Sequence, residues 1–189
     1  MNLRIYGNRQ LKTLPGQDTR PTLARVREAI FNIWQGKIQD CRWLDLCAGI
    51  GSMGAEALCR GASLAVAIEQ SSKACRVIRE NWQLVANEHQ KIQVIQGNVL
   101  ERLKQLKNQQ FDYIYFDPPY ASGLYQPVIE RIAQEQLLAM TGELAVEHSP
   151  KVALPSSLLN LGVCQYKTYG NTSLTFYKPE SDPAKLVSP

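Results

Sequence analysis

The amino-terminal residues alternate between apolar and polar side chains. Over residues 3–14 the alternation turns around at Gly7-Asn8, a pair typical of a tight turn between two strands. The segment is therefore predicted to form a small β-hairpin, and this hairpin carries three basic residues, Arg4, Arg9 and Lys12.

A helical period replaces this alternation in the next segment. Thr22 is a suitable cap, and Gly36 a suitable stop, for a helix that runs to about Gln35. Arg25 and Arg27 lie beside or opposite its apolar stripe. The members of that stripe fall at helical spacing: Leu23, Val26, Ile30, Ile33 and Trp34.

From residue 42 onwards, short apolar runs alternate with helical stretches. Strands are predicted near 42–46, 64–68, 92–95, 113–116 and 143–147. Helices are predicted near 52–60, 71–87, 99–107 and 125–136. Such alternation is typical of a parallel sheet with helices on both faces.

The carboxyl-terminal part has a different pattern. Residues 163–168 and 172–177 flank the turn Tyr169-Gly170-Asn171 and predict an antiparallel hairpin. The tail 179–189 is rich in proline and serine and is expected to be mobile.

Together these elements predict one domain over residues 1–178. Its fold class is α/β: a Rossmann-like, mostly parallel sheet with a C-terminal antiparallel hairpin and, within residues 1–36, a small N-terminal β-hairpin extension and a helix. A composition of 44% hydrophobic and 20% charged residues is that of a soluble globular protein. The net charge of +4 and pI of about 8.8 suit a polyanionic partner without requiring one.

The cysteines and the chain start bear on the compartment. Five cysteines occur without CxxC spacing and without a nearby histidine, so we expect reduced thiols and no metal site. The first residues contain no apolar signal core, and no apolar run is long enough to span a bilayer. We therefore expect a cytoplasmic protein.

A glycine-rich loop follows the first strand of the alternating region. It reads Asp45-Leu-Cys-Ala-Gly-Ile-Gly-Ser-Met-Gly54 and opens a predicted helix, the context in which glycines let a backbone approach a ligand closely. Glu69 closes the second strand, where a carboxylate can accept hydrogen bonds from ribose hydroxyls. This arrangement suits either a dinucleotide or S-adenosylmethionine.

The charge of Asp45 favours S-adenosylmethionine. A carboxylate at this position would repel the pyrophosphate of a dinucleotide, whereas S-adenosylmethionine brings an ammonium and a sulfonium group. The alternative is that Asp45 is a strand-end residue that caps the next turn. Asn98, after the third strand, either contacts the adenine of the cofactor or caps the helix that begins at Val99, or does both.

The fourth strand ends in Asp117-Pro118-Pro119-Tyr120. An exocyclic aromatic amine is a poor nucleophile because its lone pair is delocalised into the ring. Hydrogen-bond acceptors at its two N–H groups hold the amine and help the nitrogen become tetrahedral as a methyl group arrives. Asp117 supplies one acceptor and the Pro118 carbonyl the other, while Tyr120 offers a ring for base stacking. The prolines hold the loop in place before the reaction. The alternative is a plain rigid turn whose aromatic ring covers the core.

These candidate polar residues share one position in the predicted topology. Each of four successive strands has one of them at or just after its end: Asp45, Glu69, Asn98 and Asp117. In an open parallel sheet those strand ends form one rim, where ligands bind. Methyl transfer at this rim needs neither a metal nor a covalent nucleophile, so the two histidines have no assigned task.

Several motifs resemble those of the RsmD family, bacterial methyltransferases that modify the N2 amine of guanine 966 in 16S ribosomal RNA. Residues 20–34, RPTLARVREAIFNIW, resemble the family signature RPT-x-x-RVRE-x-x-FN. Residues 45–54 resemble its glycine loop, with Cys47 where phenylalanine is more usual. Residues 117–120 match its DPPY, and 169–177 resemble its final hairpin.

The resemblance implies a class I S-adenosylmethionine-dependent methyltransferase in which Asp117, Pro118 and Tyr120 receive a flipped guanine. Asn98 stands where many relatives carry aspartate. The expected cofactor contacts are Asp45, Ala48, Gly49, Gly51, Gly54, Glu69, Asn98 and Val99. The N-terminal extension would face the RNA, with phosphate contacts from Arg4, Arg9, Lys12, Arg20, Arg25 and Arg27. The partner implied is 16S ribosomal RNA or the small ribosomal subunit, and we expect a monomer.

Three other functions fit parts of the sequence. An amino-methyltransferase could act on adenine in DNA or on a protein amide, but such DNA enzymes generally add a target-recognition region and amide-modifying relatives usually read NPPY. A dinucleotide-binding oxidoreductase would explain the glycine-rich loop and Glu69 but leaves residues 117–120 without a task. The third is a non-catalytic RNA-binding module that keeps the same fold.

Overall fold

The computed structural model of the protein describes residues 3–14, 21–120 and 122–180. Within them, the chain forms an eight-stranded sheet, a two-stranded hairpin and α-helices on both faces of the large sheet. Three expectations lie outside the described residues: the RNA contact of Arg20, the capping side chain of Thr22 and the tail beyond residue 180.

The predicted amino-terminal hairpin is confirmed. Strand β1 (Leu3–Ile5) pairs antiparallel with β2 (Arg9–Leu11). The turn places Gly7 and Asn8 at φ of 71° and 60°, left-handed values that glycine and asparagine tolerate better than other residues. Leu11 is buried in a cluster with apolar residues of the following helices, so the hairpin packs onto the domain.

The parallel strands follow the predicted alternation. Their bounds are β3 (Arg42–Leu46), β4 (Leu64–Glu69), β5 (Lys91–Gln96), β6 (Phe111–Phe116) and β7 (Leu138–His148). The spatial order is β5-β4-β3-β6-β7, and neighbouring strands in this series are parallel. The strand order therefore reverses between β3 and β6, the place where ligands bind in doubly wound folds.

The helices also occupy the predicted segments. Their bounds are α1 (Pro21–Ile33), α2 (Ser52–Cys59), α3 (Ser72–Val85), α4 (Val99–Leu103) and α5 (Tyr125–Gln134). A 3₁₀ turn, Lys104–Leu106, completes the segment predicted as one helix near 99–107. Among the described residues, no helix combines the length and the apolar character needed to cross a membrane.

Apolar side chains cover both faces of the sheet. On one face, Trp34, which directly follows α1, packs edge-on against Trp43 of β3, with ring centroids 5.6 Å apart, and is fully buried. Its Nε1 donates to Glu143 Oε2 at 2.9 Å, which satisfies a polar atom that would otherwise be buried alone. On the other face, Leu103 of α4 and Ile132 of α5 are fully buried against the strands.

The predicted carboxyl-terminal hairpin is confirmed and is longer than expected. Strands β9 (Leu161–Tyr169) and β10 (Thr172–Pro179) are antiparallel, and β10 pairs with β7. A two-residue strand that was not predicted, β8 (Ser157–Leu158), forms the sheet edge. The expectation of a mobile tail from residue 179 is wrong at its start, because Pro179 belongs to β10 and Glu180 N–H donates to the Asn160 carbonyl at 2.8 Å.

Strand β7 begins five residues before the predicted 143–147 segment. Its pairing with β6 shifts between Phe111, which lies opposite Leu138, and Tyr113, which lies opposite Glu143. Such an irregularity absorbs extra residues in one strand and breaks the period of two by which a strand is recognised. The sequence pattern therefore indicated only the regular second half of the strand.

Candidate active site

The carboxyl-terminal ends of the parallel strands open into a cavity of about 590 Å³. The glycine-rich loop, the ends of β4 and β5 and the loop after β6 all reach it. The sequence-predicted residues that border it are Gly49, Glu69, Asn98, Val99, Asp117, Pro118 and Tyr120. A cavity of this size suits a small-molecule ligand. The fold thus brings predicted cofactor and substrate residues into one site.

The glycines of the glycine-rich loop have two different surroundings: one borders the cavity and two pack against a helix. Gly49, with φ of 55°, has open space where a side chain would stand, and it borders the cavity. A Cβ at Gly51 or Gly54 would lie 2.7 or 2.2 Å from the buried ring of Trp82 on α3. Trp82 Nε1 also donates to the Gly51 carbonyl at 2.8 Å. Gly51, Gly54 and Ala48 do not border the cavity, so the structure does not bring them to the ligand site.

Asp45 lies beneath the loop and is only 1% exposed. Its Oδ2 accepts a hydrogen bond from Gly54 N–H at 3.0 Å, as expected of a residue that caps the next turn. Burial, helped by the charge of Glu69 and opposed by the Gly54 bond, raises the pKa of Asp45 to about 8. The capping alternative is confirmed, and contact with the cofactor ammonium stays a prediction.

Glu69 connects two loops at the end of β4. Its Oε2 accepts from Gly49 N–H at 2.9 Å, and its Oε1 accepts from Ser71 N–H at 2.8 Å. Each carboxylate oxygen has a further lone pair, and the residue borders the cavity. Glu69 therefore holds the glycine-rich loop in place and can still accept hydrogen bonds from ribose hydroxyls.

Asn98 caps helix α4, which confirms one of its two expected roles. Its Oδ1 accepts from Leu100 N–H at 2.9 Å. Asn98 and Val99 both border the cavity, and Val99 is 5% exposed within an apolar cluster. The cap orients the start of α4 at the cavity wall, and the contact of Asn98 with adenine stays a prediction.

The loop after β6 holds Asp117 inside the cavity and Tyr120 near its opening. Asp117 N–H donates to the Leu46 carbonyl at 3.4 Å, while the Tyr120 residue is 49% exposed. Burial, together with the negative charges of Glu147 and Asp45, raises the pKa of Asp117 well above its usual value. The plain-turn alternative expected the aromatic ring to cover the core, whereas Tyr120 is exposed.

Glu147, at the end of β7, was not identified from the sequence. It borders the cavity but is only 2% exposed, and one of its oxygens accepts a hydrogen bond from the Tyr115 hydroxyl. Burial raises its pKa, and the Tyr115 bond opposes that rise. Its position beside Asp117 depends on the pairing of β7 with β6, which the sequence does not reveal. The available signal was a glutamate at the end of a predicted strand.

Four carboxylates, which we call the acidic row, end four neighbouring strands. In spatial order they are Glu69 on β4, Asp45 on β3, Asp117 after β6 and Glu147 on β7. Asp45 pairs with Ala67 of β4 and Tyr115 of β6, which lie two positions before Glu69 and Asp117. Because side chains alternate along a strand, the carboxylates of Asp45, Glu69 and Asp117 lie on the same face of the sheet. The ion pairs found among the described residues leave the acidic row without a cation.

The acidic row favours a cationic ligand. A buried carboxylate with no positive partner is costly, and a bound cation lowers that cost. A pyrophosphate in the same place would be repelled. In the part of the chain that the structure describes, no group of His, Cys, Asp and Glu is arranged to hold a metal ion.

The segment that follows the hairpin reaches the cavity wall through Leu14. It is held by Asn81 of α3, whose Oδ1 accepts from Lys12 N–H at 2.8 Å and whose Nδ2 donates to the Lys12 carbonyl at 3.1 Å. The same Nδ2 donates to the Ile50 carbonyl at 3.1 Å, which connects this segment to the glycine-rich loop. The signal missed in the sequence was an asparagine on the apolar face of α3, where it is fully buried.

The expected RNA-contacting residues do not all lie on the surface. Those with exposed positions are Arg4, Arg9, Lys12 and Arg25. The expectation for Arg27 is wrong: its side chain is 7% exposed and pairs with Glu56 at 3.3 Å. It also donates to the Arg4 carbonyl at 2.8 Å. Arg27 lies on the side of α1 that packs against the domain, so it holds the hairpin in place and cannot reach a phosphate.

Comparison with known proteins agrees with this geometry. The model of the family described as Conserved hypothetical protein 95 matches residues 3–178. Ribosomal RNA small subunit methyltransferase D of Escherichia coli K12 is 30% identical, over 95% of this chain and 91% of that protein. The protein of the same name from Haemophilus influenzae is also 30% identical, over 92% and 90% of the two chains.

Solved structures share the same architecture. The structure of yhhF from Escherichia coli is 29% identical, covers 96% of this chain and 100% of its own, and has a TM-score of 0.84. Magnesium protoporphyrin IX methyltransferase from Synechocystis, solved with bound SAH, shares the fold at 12% identity and a TM-score of 0.64, over 85% and 84% of the chains. The Synechocystis structure holds its SAH on the fold that this chain shares. A family model that spans residues 3–178, with relatives that align over nine-tenths of the chain, shows that this chain belongs to the RsmD family and has the fold of class I S-adenosylmethionine-dependent methyltransferases.

Proposed function

We propose that the protein transfers a methyl group from S-adenosylmethionine to the exocyclic N2 amine of a guanine in 16S ribosomal RNA, of the guanine 966 type. The observation that carries the proposal is the position of Asp117-Pro118-Pro119-Tyr120 on the same cavity as the glycine-rich loop and two other members of the acidic row, Glu69 and Glu147. The names of the Escherichia coli and Haemophilus influenzae relatives support ribosomal RNA of the small subunit as the substrate.

The cofactor end of the cavity is the part near β4 and β5. Glu69, Asn98 and Val99 line the cavity there. We expect Glu69 to accept hydrogen bonds from the ribose hydroxyls, and Asn98 and Val99 to lie beside the adenine. The negative charge of the acidic row favours the ammonium and sulfonium groups. The same charge argues against the oxidoreductase alternative, because a dinucleotide would place a pyrophosphate beside it.

The amine end of the cavity is the loop after β6. The carboxylate of Asp117 and the carbonyl of Pro118 accept hydrogen bonds from the two N–H groups of the target amine. These bonds orient the nitrogen lone pair toward the methyl group. The new C–N bond forms as the C–S bond breaks, and the electron pair of that bond stays on sulfur. The methylated nitrogen then loses its extra proton to Asp117 or to water. Such positioning accounts for much of the rate of a displacement reaction.

Tyr120 is half-exposed at the cavity, and we expect its ring to stack on the flipped base. Stacking of a base on an aromatic side chain contributes about 1–3 kcal/mol in proteins that bind nucleic acids. A base removed from its helix loses a comparable amount of stacking energy. The contact with Tyr120 therefore offsets part of the cost of flipping.

Substitution of Asp117 by alanine tests the proposal. We expect Asp117→Ala to lower kcat by roughly 100-fold or more, because it removes the acceptor that orients the amine, while cofactor affinity changes little. The measurement is transfer of labelled methyl from S-adenosylmethionine to unmodified small ribosomal subunits, followed by mapping of the methylated nucleotide.

Glu101→Ala is the matched control, because Glu101 is an exposed carboxylate outside the cavity. It should leave kcat unchanged. Turnover by Asp117→Ala equal to that of the parent protein would contradict the assignment of the amine site. Methylation mapped to a base other than guanine would contradict the substrate.

A further inference from the structure

A buried carboxylate, Glu147, lies beside the half-buried Asp117 in the amine end of the cavity. Val146 of β7 pairs with Phe116 of β6, so the next residues, Glu147 and Asp117, stand at matching positions on adjacent parallel strands. Neighbouring strands lie about 4.8 Å apart, so one flat ligand can contact both carboxylates. The steps proposed above use Asp117 and leave Glu147 without a task.

The structure holds the Glu147 side chain in a defined orientation. The buried Tyr115 hydroxyl donates to its Oε2, and this tyrosine shares the layer of Trp34 and Trp43. No hydrogen bond to Oε1 is found within the part of the chain that the structure describes. A carboxylate that is fixed at one oxygen can present the other to a ligand in a constant direction.

A buried hydroxyl close to these carboxylates lacks a hydrogen-bond partner. The Tyr125 residue is 7% exposed, and its hydroxyl oxygen is buried without a partner among the described residues. The charges of Asp117 and Glu147 both act on this hydroxyl. Tyr125 does not line the cavity, so its hydroxyl makes no contact with a ligand there and shows only that the two carboxylates act on the same buried group.

The two purines differ at the ring nitrogen beside the amine. Guanine presents N1–H next to its N2 amine, which makes a continuous edge of donors. Adenine presents a bare N1 lone pair next to its N6 amine. An anionic carboxylate facing this edge accepts from guanine N1–H and is repelled by the lone pair of adenine N1. A second acceptor beside Asp117 therefore discriminates between the two bases.

We propose that Glu147 accepts a hydrogen bond from N1–H of the target guanine, and that this contact makes the site selective for guanine over adenine. The inference rests on the proposed function, because it assigns the second polar contact of the same base. Asp117 and Pro118 hold the amine, and Glu147 reads the neighbouring ring nitrogen. Tyr115 acts as a positioning residue, since it orients Glu147 without touching the base.

The test compares two RNA substrates that carry either guanine or 2-aminopurine at the target position. 2-Aminopurine keeps the exocyclic amine but has a bare N1. The parent protein should methylate the guanine RNA with a kcat/KM roughly tenfold or more above that of the 2-aminopurine RNA, as expected for loss of a hydrogen bond to a charged group. Equal kcat/KM values for the two RNAs would overturn the inference without any variant.

Glu147→Gln supplies the second arm. The variant should lower kcat/KM for guanine and narrow the preference for guanine over 2-aminopurine, because a glutamine amide can donate to a bare N1. A purely structural role would lower kcat/KM for both RNAs by the same factor, and that result would overturn the inference. Glu143→Gln is the control, because Glu143 lies on the same strand but bonds Trp34 in the core, and it should leave the preference unchanged.

The inference and the proposed function fail in different ways. If the parent protein methylates neither RNA nor the small subunit, the proposed function is wrong and the inference falls with it. If the parent protein methylates guanine but Glu147→Gln leaves the preference for guanine unchanged, the inference is overturned and the proposed function stands.

Discussion

At the scale of single residues, burial distinguishes the acidic side chains of this site from ordinary surface carboxylates. Asp45, Asp117 and Glu147 all have raised pKa values, and burial is the largest cause for each. An acidic group whose pKa is higher in the folded state stabilises that state while it is protonated, and this stabilisation is lost as the group ionises. The free protein should therefore lose stability as pH rises through the range in which these groups lose protons.

Asp45 gives the clearest prediction, because its pKa changes from 3.8 to about 8. Folding raises this pKa, so the folded state holds a proton that the unfolded chain has already released, and the free energy of unfolding falls between about pH 4 and about pH 8. Asp45→Asn keeps an oxygen for Gly54 N–H and removes the titration. We expect a flatter dependence of the free energy of unfolding on pH, measured by urea denaturation without cofactor.

Glu88→Gln is the matched control, because the Glu88 side chain is 85% exposed. It should leave the pH dependence of unfolding as it is in the parent protein. If the free energy of unfolding of Asp45→Asn depends on pH as it does in the parent protein, the proton retained by the folded state is not on Asp45.

The sequence predicted which residue types lie at the strand ends, but not which of them border the cavity and which pack inside the protein. Asp117, Glu69 and Gly49 border the cavity as expected. Gly54 fits the same motif yet packs against Trp82, a residue nearly thirty positions away in sequence. Which glycine meets a ligand and which meets a helix depends on tertiary packing that no local pattern encodes.

At the scale of elements, the start of α2 depends on the ring of Trp82 on α3. An alanine at position 54 would gain helix propensity of about 1 kcal/mol. Its Cβ would also lie 2.2 Å from a fully buried ring that is held by a bond from Nε1 to the Gly51 carbonyl. Overpacking of this kind costs about 1–3 kcal/mol or more, so the clash should outweigh the propensity.

We therefore expect Gly54→Ala to lower the free energy of unfolding by about 1–3 kcal/mol and to weaken cofactor binding by shifting the loop. Chemical denaturation, with cofactor binding measured by calorimetry, provides the check. Ser52→Ala is the control, because it lies in the same helix and adds no atoms against Trp82; it should change both quantities little. A Gly54→Ala protein as stable as the parent would show that the ring moves aside without cost.

The elements themselves were largely predictable from periodicity. Both hairpins, the parallel strands and the helices lie where the apolar pattern indicated, because each buries one face in the usual period. The first half of β7 and the short strand β8 were missed, because an irregular pairing and a two-residue length leave no period to detect. The spatial order of the strands was not predicted either, and without it Glu147 could not be placed beside Asp117.

At the scale of the whole molecule, the exposed basic residues and the cavity determine how RNA can approach. Arg25 of α1 shares a shallow groove with Tyr169, which ends β9. The turn after Tyr169 leads into β10, where Ser173 lies opposite His148, the neighbour of Glu147. Arg25 therefore lies toward the same end of the sheet as the cavity, where a phosphate of a bound RNA would pass.

Charge reversal at Arg25 tests this approach. Arg25→Glu should weaken RNA binding and lower the slope of log K against log salt concentration by about one, because each phosphate contact releases about one counterion. Cofactor affinity should not change. The measurement is a titration of the small-subunit RNA at several salt concentrations. Lys107→Glu, which reverses an exposed charge just before β6 and far from its carboxyl end, is the control and should leave the slope unaltered. An unchanged slope for Arg25→Glu would rule out a phosphate contact there.

If the cofactor binds beside the acidic row as proposed, we expect its binding to release protons. In the free protein, burial raises the pKa of Asp45 to about 8, so this member of the row keeps its proton near neutral pH. A ligand with two positive groups favours the ionised carboxylates, so protons enter the solvent and affinity for that ligand increases with alkalinity. After methyl transfer the cofactor product has lost the sulfonium charge, so its one remaining positive group stabilises fewer ionised carboxylates. The buried charges that attract the methyl donor therefore also promote its replacement after each turnover.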